Sequence, residues 1–386
     1  MFNLRKTRRT LRKLFRKARE LVEQPIIDLA SGIPNYKPPR EVLDAVSKAF
    51  NMDLCYTSPR GLLDLREKLS EKIEDEHGIY YDPDNEVLIT HGASEALYSV
   101  LVVMLKDSRK ILVPTPHYPF YKHQILSLGG KLLTYPFGTN IPFSKSLAYI
   151  EKHMSSGRDK YAILINSPHN PTGKVLSRKE VEELSEFIEE RDVIVIWDEV
   201  YEKIIFDGEH YTLANIQESR SKVVFINSFS KTYAMHGWRI GFIYGPSRII
   251  DEVFKIHKAI TLGLNPIPQL AALAALNTNK KYIENILNIL RKRRNAILSR
   301  LKRMEAFDLA EGQGTFFLFP KLKLPGMSCE DFVKVLQNNG VKVLPGKAFN
   351  EEGYVRISFA HAGLDEIEQA LGRIENVVTK IIKSRQ

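Results

Sequence analysis

The stretch "SFSKTYAMHGWRIGF", residues 228–242, decides how this chain is interpreted. It places Lys231 among small and hydroxyl-bearing residues, with Ser228 three positions before it and Arg239 eight positions after it. Apolar runs that predict β-strands lie on both sides. A lysine that is desolvated beside other cations has a lowered pKa and acts as a nucleophile toward carbonyl groups. The stretch therefore predicts a reactive lysine next to groups suited to binding an anion.

The composition of the chain is that of a globular protein. Its 386 residues are 44% hydrophobic and 26% charged, which suits one large domain with a smaller companion. The only two cysteines, Cys55 and Cys329, match a reducing compartment. No apolar run approaches the roughly 20 residues that a membrane span needs, and no signal peptide is recognisable. We therefore expect a cytoplasmic protein with no membrane partner.

Basic side chains are concentrated at the amino terminus. The formal net charge is +10, but residues 5–19 hold nine basic and no acidic side chains, so the remainder is close to neutral. Apolar residues from Leu11 to Val22 follow helical spacing and predict a basic helical arm over 1–25. Docking of this arm on the body or on a second subunit is favoured, and no nucleic-acid partner is expected. Contact with a nucleic acid or another acidic surface and a transit peptide, here without serine, are the alternatives.

Short apolar runs alternate with amphipathic stretches over most of the chain. Near-continuous apolar strands separated by helices predict an α/β fold with a mostly parallel sheet between helices. Ligands of such sheets bind beyond the carboxyl ends of the strands. The strand candidates are "EVLIT" (86–90), "KILVP" (110–114), "KLLTYPF" (131–137), "YAILIN" (161–166), "VIVIWD" (193–198), "VVFIN" (223–227) and "RIGFIYG" (239–245).

A second, smaller unit is predicted after a long charged helix that starts near Tyr282. Its short apolar runs and two further helical patterns indicate an α+β domain. The predicted division is the arm over 1–25, a segment over 26–45 that joins the small domain, a large domain over 46–281, and the small domain over 282–386.

Two segments carry groups that suit an anion and a polar ring. In "THGASEAL" (90–97) a strand stops and a helix begins at Ala93 or Ser94, where free N–H groups bind phosphate, although Ser94 also suits a simple N-cap. In "INSPHNPTG" (165–173) Asn166 and Asn170 follow a buried strand, although this is also turn chemistry. We expect both segments at the carboxyl edge of the sheet.

A third segment, "WDEVYEKI" (197–204), places Asp198 at the end of an apolar strand, with Tyr201 three residues further on. A buried carboxylate is costly without a cationic or donor partner, although Asp198 could instead cap the next element. Taken with Lys231, these groups suit one ligand that has a phosphate, a basic ring nitrogen and an aldehyde. Pyridoxal 5′-phosphate meets all three demands.

The chain resembles the class I/II aminotransferases of the fold-type I pyridoxal-phosphate superfamily. The resemblance is carried by "SFSKTYAMHGWRIGF", "PHNPTG" and "DEVY" in the order of the family, and it runs from about Ile27 to Arg373. The basic arm lies outside it. The resemblance implies a homodimeric aminotransferase that acts on an amino acid and a 2-oxo acid, and it implies no metal site.

The resemblance also implies roles for the polar residues. Lys231 would form a Schiff base with the cofactor and move the proton at the substrate's α-carbon. Asp198 would keep the ring nitrogen protonated, and Tyr201 with Asn170 would hydrogen-bond the ring oxygen. Tyr118 would stack on the ring, next to the substrate, although it could be a core aromatic instead. The phosphate would be held by Ala93, Ser94, Ser228 and Arg239, and by Tyr56 of the neighbouring subunit.

Substrate recognition is implied in the same way. Arg356 in "YVRISFA" would grip the α-carboxylate through a two-pronged pair, assisted by Asn170 and the backbone of Gly32. An exposed strand arginine is the alternative. Ser94 stands where some aspartate-specific relatives have lysine, and His236 stands where the family often has a smaller residue, with no assigned role.

Three functions are open from the sequence. The favoured one is transfer of an amino group from an L-amino acid, with aspartate or an aromatic amino acid preferred and alanine also plausible, to a 2-oxo acid such as 2-oxoglutarate. The second is a pyridoxal-phosphate-dependent C–S β-lyase, because the same residues support elimination. The third is a non-catalytic effector-binding regulator whose basic arm contacts DNA.

Overall fold

The computed structural model describes residues 25–52, 54–154 and 159–383, so the predicted arm lies almost wholly outside the described residues. The strands are β1 (Ile27–Asp28), β2 (Val87–Thr90), β3 (Lys110–Thr115), β4 (Leu132–Pro136), β5 (Tyr161–Asn166), β6 (Val193–Asp198), β7 (Val223–Ser228), β8 (Gly241–Tyr244), β9 (Phe307–Asp308), β10 (Phe317–Leu318), β11 (Lys321–Leu322), β12 (Val341–Lys342), β13 (Leu344–Pro345) and β14 (Val355–Ser358). The helices are α1 (Arg40–Ala49), α2 (Leu63–His77), α3 (Gly92–Lys106), α4 (Pro119–Ser127), α5 (Phe143–Met154), α6 (Arg178–Glu189), α7 (Phe229–Thr232), α8 (Ser247–Ile260), α9 (Pro266–Leu276), α10 (Lys280–Leu301), α11 (Cys329–Asn338) and α12 (Leu364–Lys383). Short 3₁₀ helices cover Leu213–Asn215, Gln217–Lys222 and Gly346–Phe349.

A seven-stranded sheet forms the centre of the large unit, with the strand order β2-β8-β7-β6-β5-β3-β4. Every neighbouring pair is parallel except the two that involve β8, which runs antiparallel to both β2 and β7. All seven strand candidates lie in this sheet. The predicted α/β class with a mixed, mostly parallel sheet is therefore confirmed.

The strands read as continuous apolar runs because both faces of the sheet are covered. In β5 and β6 every residue is buried, and successive side chains point to opposite faces. Ile163 and Val195 enter the core on one face, together with α2, α5, α6 and α9. Leu164 and Ile196 enter the core on the other face, together with α3, α4 and α8. This two-sided burial holds the strand ends, and the polar residues on them, in fixed positions.

The smaller unit contains α10, α11, α12 and the short strands β9 to β14 around its own apolar core. Strands β10, β14 and β13 pair antiparallel in that order, and α10 packs against α12. The chain segment at the amino terminus joins this unit, because β1 pairs with β12 through Ile27 and Val341. Helix α1 packs instead on α9 of the large unit, with Val42 in that unit's core.

The division of the chain at residues 45 and 281 stays a prediction. Among the described residues, no helix combines the length and the apolar character that crossing a membrane requires.

Candidate active site

A cavity of about 290 Å³ lies where the carboxyl ends of the central strands meet the smaller unit. Neighbouring strands β5, β6 and β7 end at Asn166, Asp198 and Ser228 respectively, and all three residues line the cavity. The predicted site residues other than Tyr56 also line it, namely Gly32, Ala93, Ser94, Tyr118, Asn170, Asp198, Tyr201, Ser228, Lys231, Arg239 and Arg356. The fold therefore gathers residues that are up to 324 positions apart in the sequence.

Lys231 extends into this cavity from α7, a single helical turn that follows β7 where a plain turn was expected. Its Nζ donates to the carbonyl oxygen of Gly32 over 3.0 Å, and its own carbonyl accepts the hydroxyl of Tyr36. Burial, followed by the charges of Arg356 and Arg239, lowers the pKa of Lys231 to about 8. The amine is therefore far more often neutral near neutral pH than an exposed lysine is.

Asp198 lies opposite, at the end of β6, with both carboxylate oxygens hydrogen-bonded. The backbone N–H of Val200 donates to Oδ1 over 3.2 Å, and the hydroxyl of Tyr121 donates to Oδ2 over 2.5 Å. Burial raises the pKa of Asp198 to about 6, against the smaller opposite effect of these hydrogen bonds. A cation placed beside this carboxylate would lower its pKa again and be held strongly in return.

Tyr121 is a site residue that the sequence interpretation missed. It is fully buried on α4, three positions after Tyr118, and its ring meets the Tyr118 ring edge-on at 5.6 Å. The spacing in "HYPFY" would have placed both tyrosines on one helix face, but a buried aromatic on such a face ordinarily belongs to the core.

Asn170 connects the two units across the cavity. Its backbone N–H donates to Oδ1 of Asn166 over 2.8 Å, and its Oδ1 accepts from Nη1 of Arg356 over 3.0 Å. Asn170 also hydrogen-bonds the side chain of Tyr201, whose pKa is raised chiefly by burial. The polar loop after β5 is thus a junction that fixes three side chains at once.

Arg356 is a buried arginine on β14, and not an exposed strand residue. Its Nη2 donates to the carbonyl of Ala30 over 2.7 Å, and its guanidinium lies 4.1 Å from the centre of the Phe317 ring. The Nε atom is buried and has no hydrogen-bond partner among the described residues. Burial lowers the pKa of Arg356 to about 10, so this cation stays charged and is suited to a carboxylate.

The start of α3 and the segment after α7 form an anion-binding surface. Helix α3 begins at Gly92, one or two residues before the predicted start. Gly92 has φ of +75°, and a Cβ atom there would lie 2.7 Å from Nη2 of Arg239, so the guanidinium rests directly on the helix start. Arg239 itself has φ of +54°, and strained non-glycine residues of this kind cluster at functional sites. No carboxylate of the described residues pairs with Arg239.

Tyr118 precedes α4, and its ring stacks on Phe120 at 5.4 Å while lining the cavity. Tyr56 does not line this cavity; it is 89% exposed at the surface. His236 does line it, and its backbone carbonyl accepts from Nη1 of Arg239 over 2.9 Å.

Comparison with known proteins agrees with this geometry. The family described as "Aminotransferase class I and II" matches residues 24–374. The chain is 35% identical over 375 residues to an aspartate aminotransferase of Pyrococcus abyssi, and the match covers 95% of each chain. It is 33% identical over 375 residues to aromatic-amino-acid aminotransferase 2 of Thermococcus litoralis, again over 95% of each chain. The crystal structure of an aromatic aminotransferase from Pyrococcus horikoshii OT3 superposes with a TM-score of 0.86 at 34% identity, covering 94% of this chain and 97% of that one.

Fold and cavity together define a fold-type I enzyme that depends on pyridoxal 5′-phosphate. The chain belongs to the class I and II aminotransferase family, and it is a transaminase. The matched range leaves out the basic arm, as the sequence resemblance did.

The residues of the cavity fit this cofactor. Arg239, which lacks a carboxylate partner among the described residues, offers a cation for the phosphate beside the start of α3. The Asp198 carboxyl suits a protonated ring nitrogen, and the Lys231 amine, with its lowered pKa, suits an aldehyde.

Proposed function

We propose that this protein transfers the amino group of aspartate or of an aromatic L-amino acid to a 2-oxo acid such as 2-oxoglutarate. The observation that carries the proposal is that the Lys231 amine and the buried Arg356 guanidinium line the same cavity. An α-carboxylate held by Arg356 brings the α-amino group of the same molecule toward Lys231. The two relatives named above, an aspartate and an aromatic enzyme, support the choice of donors.

The predicted site residues of the cavity each have a proposed task. The bound cofactor supplies an aldehyde and a ring that accepts electrons from the substrate's α-carbon. Lys231 would hold the cofactor, and its amine would take and return the proton at that carbon. Asp198 would keep a proton on the ring nitrogen, since an ionised carboxylate is the partner that keeps such a nitrogen charged.

The remaining residues orient the two ligands. Tyr201 and Asn170 would hydrogen-bond the ring oxygen, and Tyr118 would stack on the ring. The phosphate would be held by the backbone N–H of Ala93 and by Ser94, Ser228 and Arg239. Asn170 and Gly32 would assist Arg356 with the substrate carboxylate, and the smaller unit would close over the substrate.

The donor side chain would meet apolar groups of the cavity wall, to which Ile33, Phe120 and Phe317 contribute. This wall suits an aromatic ring. The side-chain carboxylate of an acidic donor needs a cationic partner elsewhere in the cavity, because Ser94 offers only a hydroxyl. Both donor classes therefore belong in the test.

The test is a half-reaction without an acceptor. Protein loaded with cofactor is mixed with aspartate, phenylalanine, tyrosine or alanine alone, and the cofactor is extracted and identified. We expect conversion to pyridoxamine phosphate with at least one acidic or aromatic donor, and return to the aldehyde on addition of 2-oxoglutarate. Release of pyruvate and ammonia from a sulfur-containing amino acid, without pyridoxamine phosphate, would establish the β-lyase instead.

We also propose that the active unit is a homodimer in which Tyr56 reaches the phosphate of the neighbouring subunit. Tyr56 is 89% exposed and Leu262 is 74% exposed, and their segments are adjacent, because Thr57 Oγ1 donates to the carbonyl of Leu264 over 2.8 Å. Large exposed apolar side chains on neighbouring segments are consistent with an interface. Sedimentation of the full chain tests the dimer, and a monomer that retains full activity would refute it.

A cytoplasmic location is proposed on the two free cysteines, one of which, Cys55, is exposed.

A further inference from the structure

His236 is a titratable residue of the cavity for which the transamination scheme above has no task. The residue lines the cavity, and its Nδ1 atom is buried without a hydrogen-bond partner among the described residues. A buried ring nitrogen that lacks a partner is costly, and such atoms in a native fold call for an explanation. A ligand atom that enters the cavity is one explanation.

The position of His236 ties it to the anion-binding surface. Its backbone carbonyl accepts from Nη1 of Arg239 over 2.9 Å, while Nη2 of the same guanidinium rests on Gly92 at the start of α3. The two terminal nitrogens of one guanidinium therefore contact His236 and the start of α3. An anion bound by Arg239 and the N–H groups of α3 lies beside the segment that carries the imidazole.

The charges that act on His236 explain why it is neutral without a ligand. Burial lowers its pKa first, followed by three basic neighbours: Lys231 on α7, Arg239 before β8, and His361 from the smaller unit. A phosphate among these groups opposes their positive field, because a nearby anion favours the charged imidazolium. Nδ1 then becomes a donor that carries a positive charge.

We propose that His236 is an additional ligand of the cofactor phosphate: its imidazole turns Nδ1 toward the phosphate, donates a hydrogen bond from that atom and takes up a proton from solvent as the phosphate binds. The shared chemistry is an anionic oxygen, and a side-chain carboxylate of the donor amino acid could supply it as well. The phosphate is favoured, because the groups that fix His236 are those of the anion-binding surface and not those around Arg356. The inference rests on cofactor binding alone and is independent of which donor the enzyme prefers.

Apoprotein titrations separate these sources. Wild type and His236→Ala are titrated with pyridoxal 5′-phosphate and with pyridoxal, which lacks the phosphate, at about pH 6.5, near the ordinary pKa of histidine, and at about pH 9. We expect His236→Ala to raise the Kd for pyridoxal 5′-phosphate roughly tenfold or more at the lower pH, as loss of a charge-assisted hydrogen bond predicts. The effect should shrink at the higher pH, where the imidazolium is lost, and the Kd for pyridoxal should not change.

Two further variants guard this test against a general loss of structure. His236→Asn keeps a donor near the Nδ1 position but cannot become charged, so it should restore part of the affinity without its pH dependence. His361→Ala removes the exposed histidine that faces His236 and should leave the affinity for pyridoxal 5′-phosphate within about twofold, since it loses no hydrogen bond to the phosphate.

Other outcomes would overturn the proposal. Equal weakening of both ligands would mean that His236 only supports the segment around Arg239. Unchanged cofactor affinity with a raised KM for aspartate would assign His236 to the donor's side chain. Failure of the wild-type protein to prefer pyridoxal 5′-phosphate over pyridoxal would reject the phosphate site itself.

Discussion

The hydroxyl of Tyr121 on α4 donates a hydrogen bond of 2.5 Å to Oδ2 of Asp198, the last residue of β6. Both side chains are buried, and the Val200 N–H occupies the other carboxylate oxygen at 3.2 Å. The carboxylate is thereby held in one orientation before any ligand arrives. Preorganisation of this kind avoids a reorganisation cost when charge develops on the ligand.

Tyr121→Phe should weaken the enzyme without disturbing its fold. Loss of the hydroxyl removes a hydrogen bond that favours the ionised carboxylate, so the pKa of Asp198 should rise above its value of about 6. A hydrogen bond to a charged group is worth about 1.5–3 kcal/mol, and we expect kcat/KM to fall about tenfold or more. Tyr135→Phe is the matched control, because Tyr135 is equally buried but donates to the Leu164 carbonyl, away from the cavity. Identical pH–rate profiles for Tyr121→Phe and wild type would contradict the assigned task.

Asp198→Asn keeps the shape of the side chain and removes its charge. The cofactor should still bind, but its ring nitrogen loses the partner that keeps it protonated. We expect kcat to fall by roughly a hundredfold or more, the scale of removing one preorganised electrostatic group. Asp192→Asn, at the opposite end of β6 and mostly exposed, should leave kcat unchanged. Steady-state kcat values of the two variants test the role of Asp198. An Asp198→Asn enzyme as fast as wild type would be incompatible with the proposal.

The pH dependence of Lys231 gives a test that needs no substrate. Burial and the charges of Arg356 and Arg239 depress its pKa from 10.5 to about 8, so the nucleophilic neutral amine should accumulate as pH rises through about 8. The rate at which apoprotein reacts with pyridoxal, followed by absorbance, should therefore reach half its maximum near that pH. Arg356→Gln removes the largest like charge and should move the midpoint upward. A midpoint near 10.5 in wild type would show that the amine is not desolvated.

Arg356→Lys should act mainly on substrate binding. A point charge replaces a planar guanidinium that donates to Asn170 over 3.0 Å and to Ala30 over 2.7 Å, so one prong of the carboxylate pair is lost. We expect KM for the amino donor to rise about tenfold to a hundredfold, with a smaller change in kcat. Arg293→Lys alters another buried arginine of the smaller unit, one that bonds Asn35 and Ala360 outside the cavity, and should leave KM unchanged. A lower kcat at constant KM for Arg356→Lys would argue against the assignment.

Much of the fold and of the site was predictable because strand ends carry a local signal. Runs such as "YAILIN" and "VIVIWD" predict strands that are buried on both faces, and each ends at a polar residue, Asn166 or Asp198, that the sheet brings to one edge. Lys231 could be singled out because small and hydroxyl residues surround it. The sheet brings the site residues together, and its strands can be recognised in the sequence.

The contacts that cross between elements were not predictable. Tyr121 looks like a core aromatic until α4 is placed against β6, and the unpartnered Nδ1 of His236 becomes visible only once the cavity exists. Arg239 has a left-handed φ, and its guanidinium approaches Gly92, which lies on another element. Tertiary packing determines these contacts, and no periodicity in the sequence encodes them.

Attachment of the cofactor to Lys231 is the claim on which the proposed roles depend. The most direct measurement is reduction of the cofactor-loaded protein with borohydride, followed by peptide mapping by mass spectrometry. We expect a single phosphopyridoxyl group on the peptide that contains Lys231, and none on Lys231→Ala, which should still bind cofactor noncovalently. A label on another lysine, or unchanged labelling of Lys231→Ala, would contradict the account.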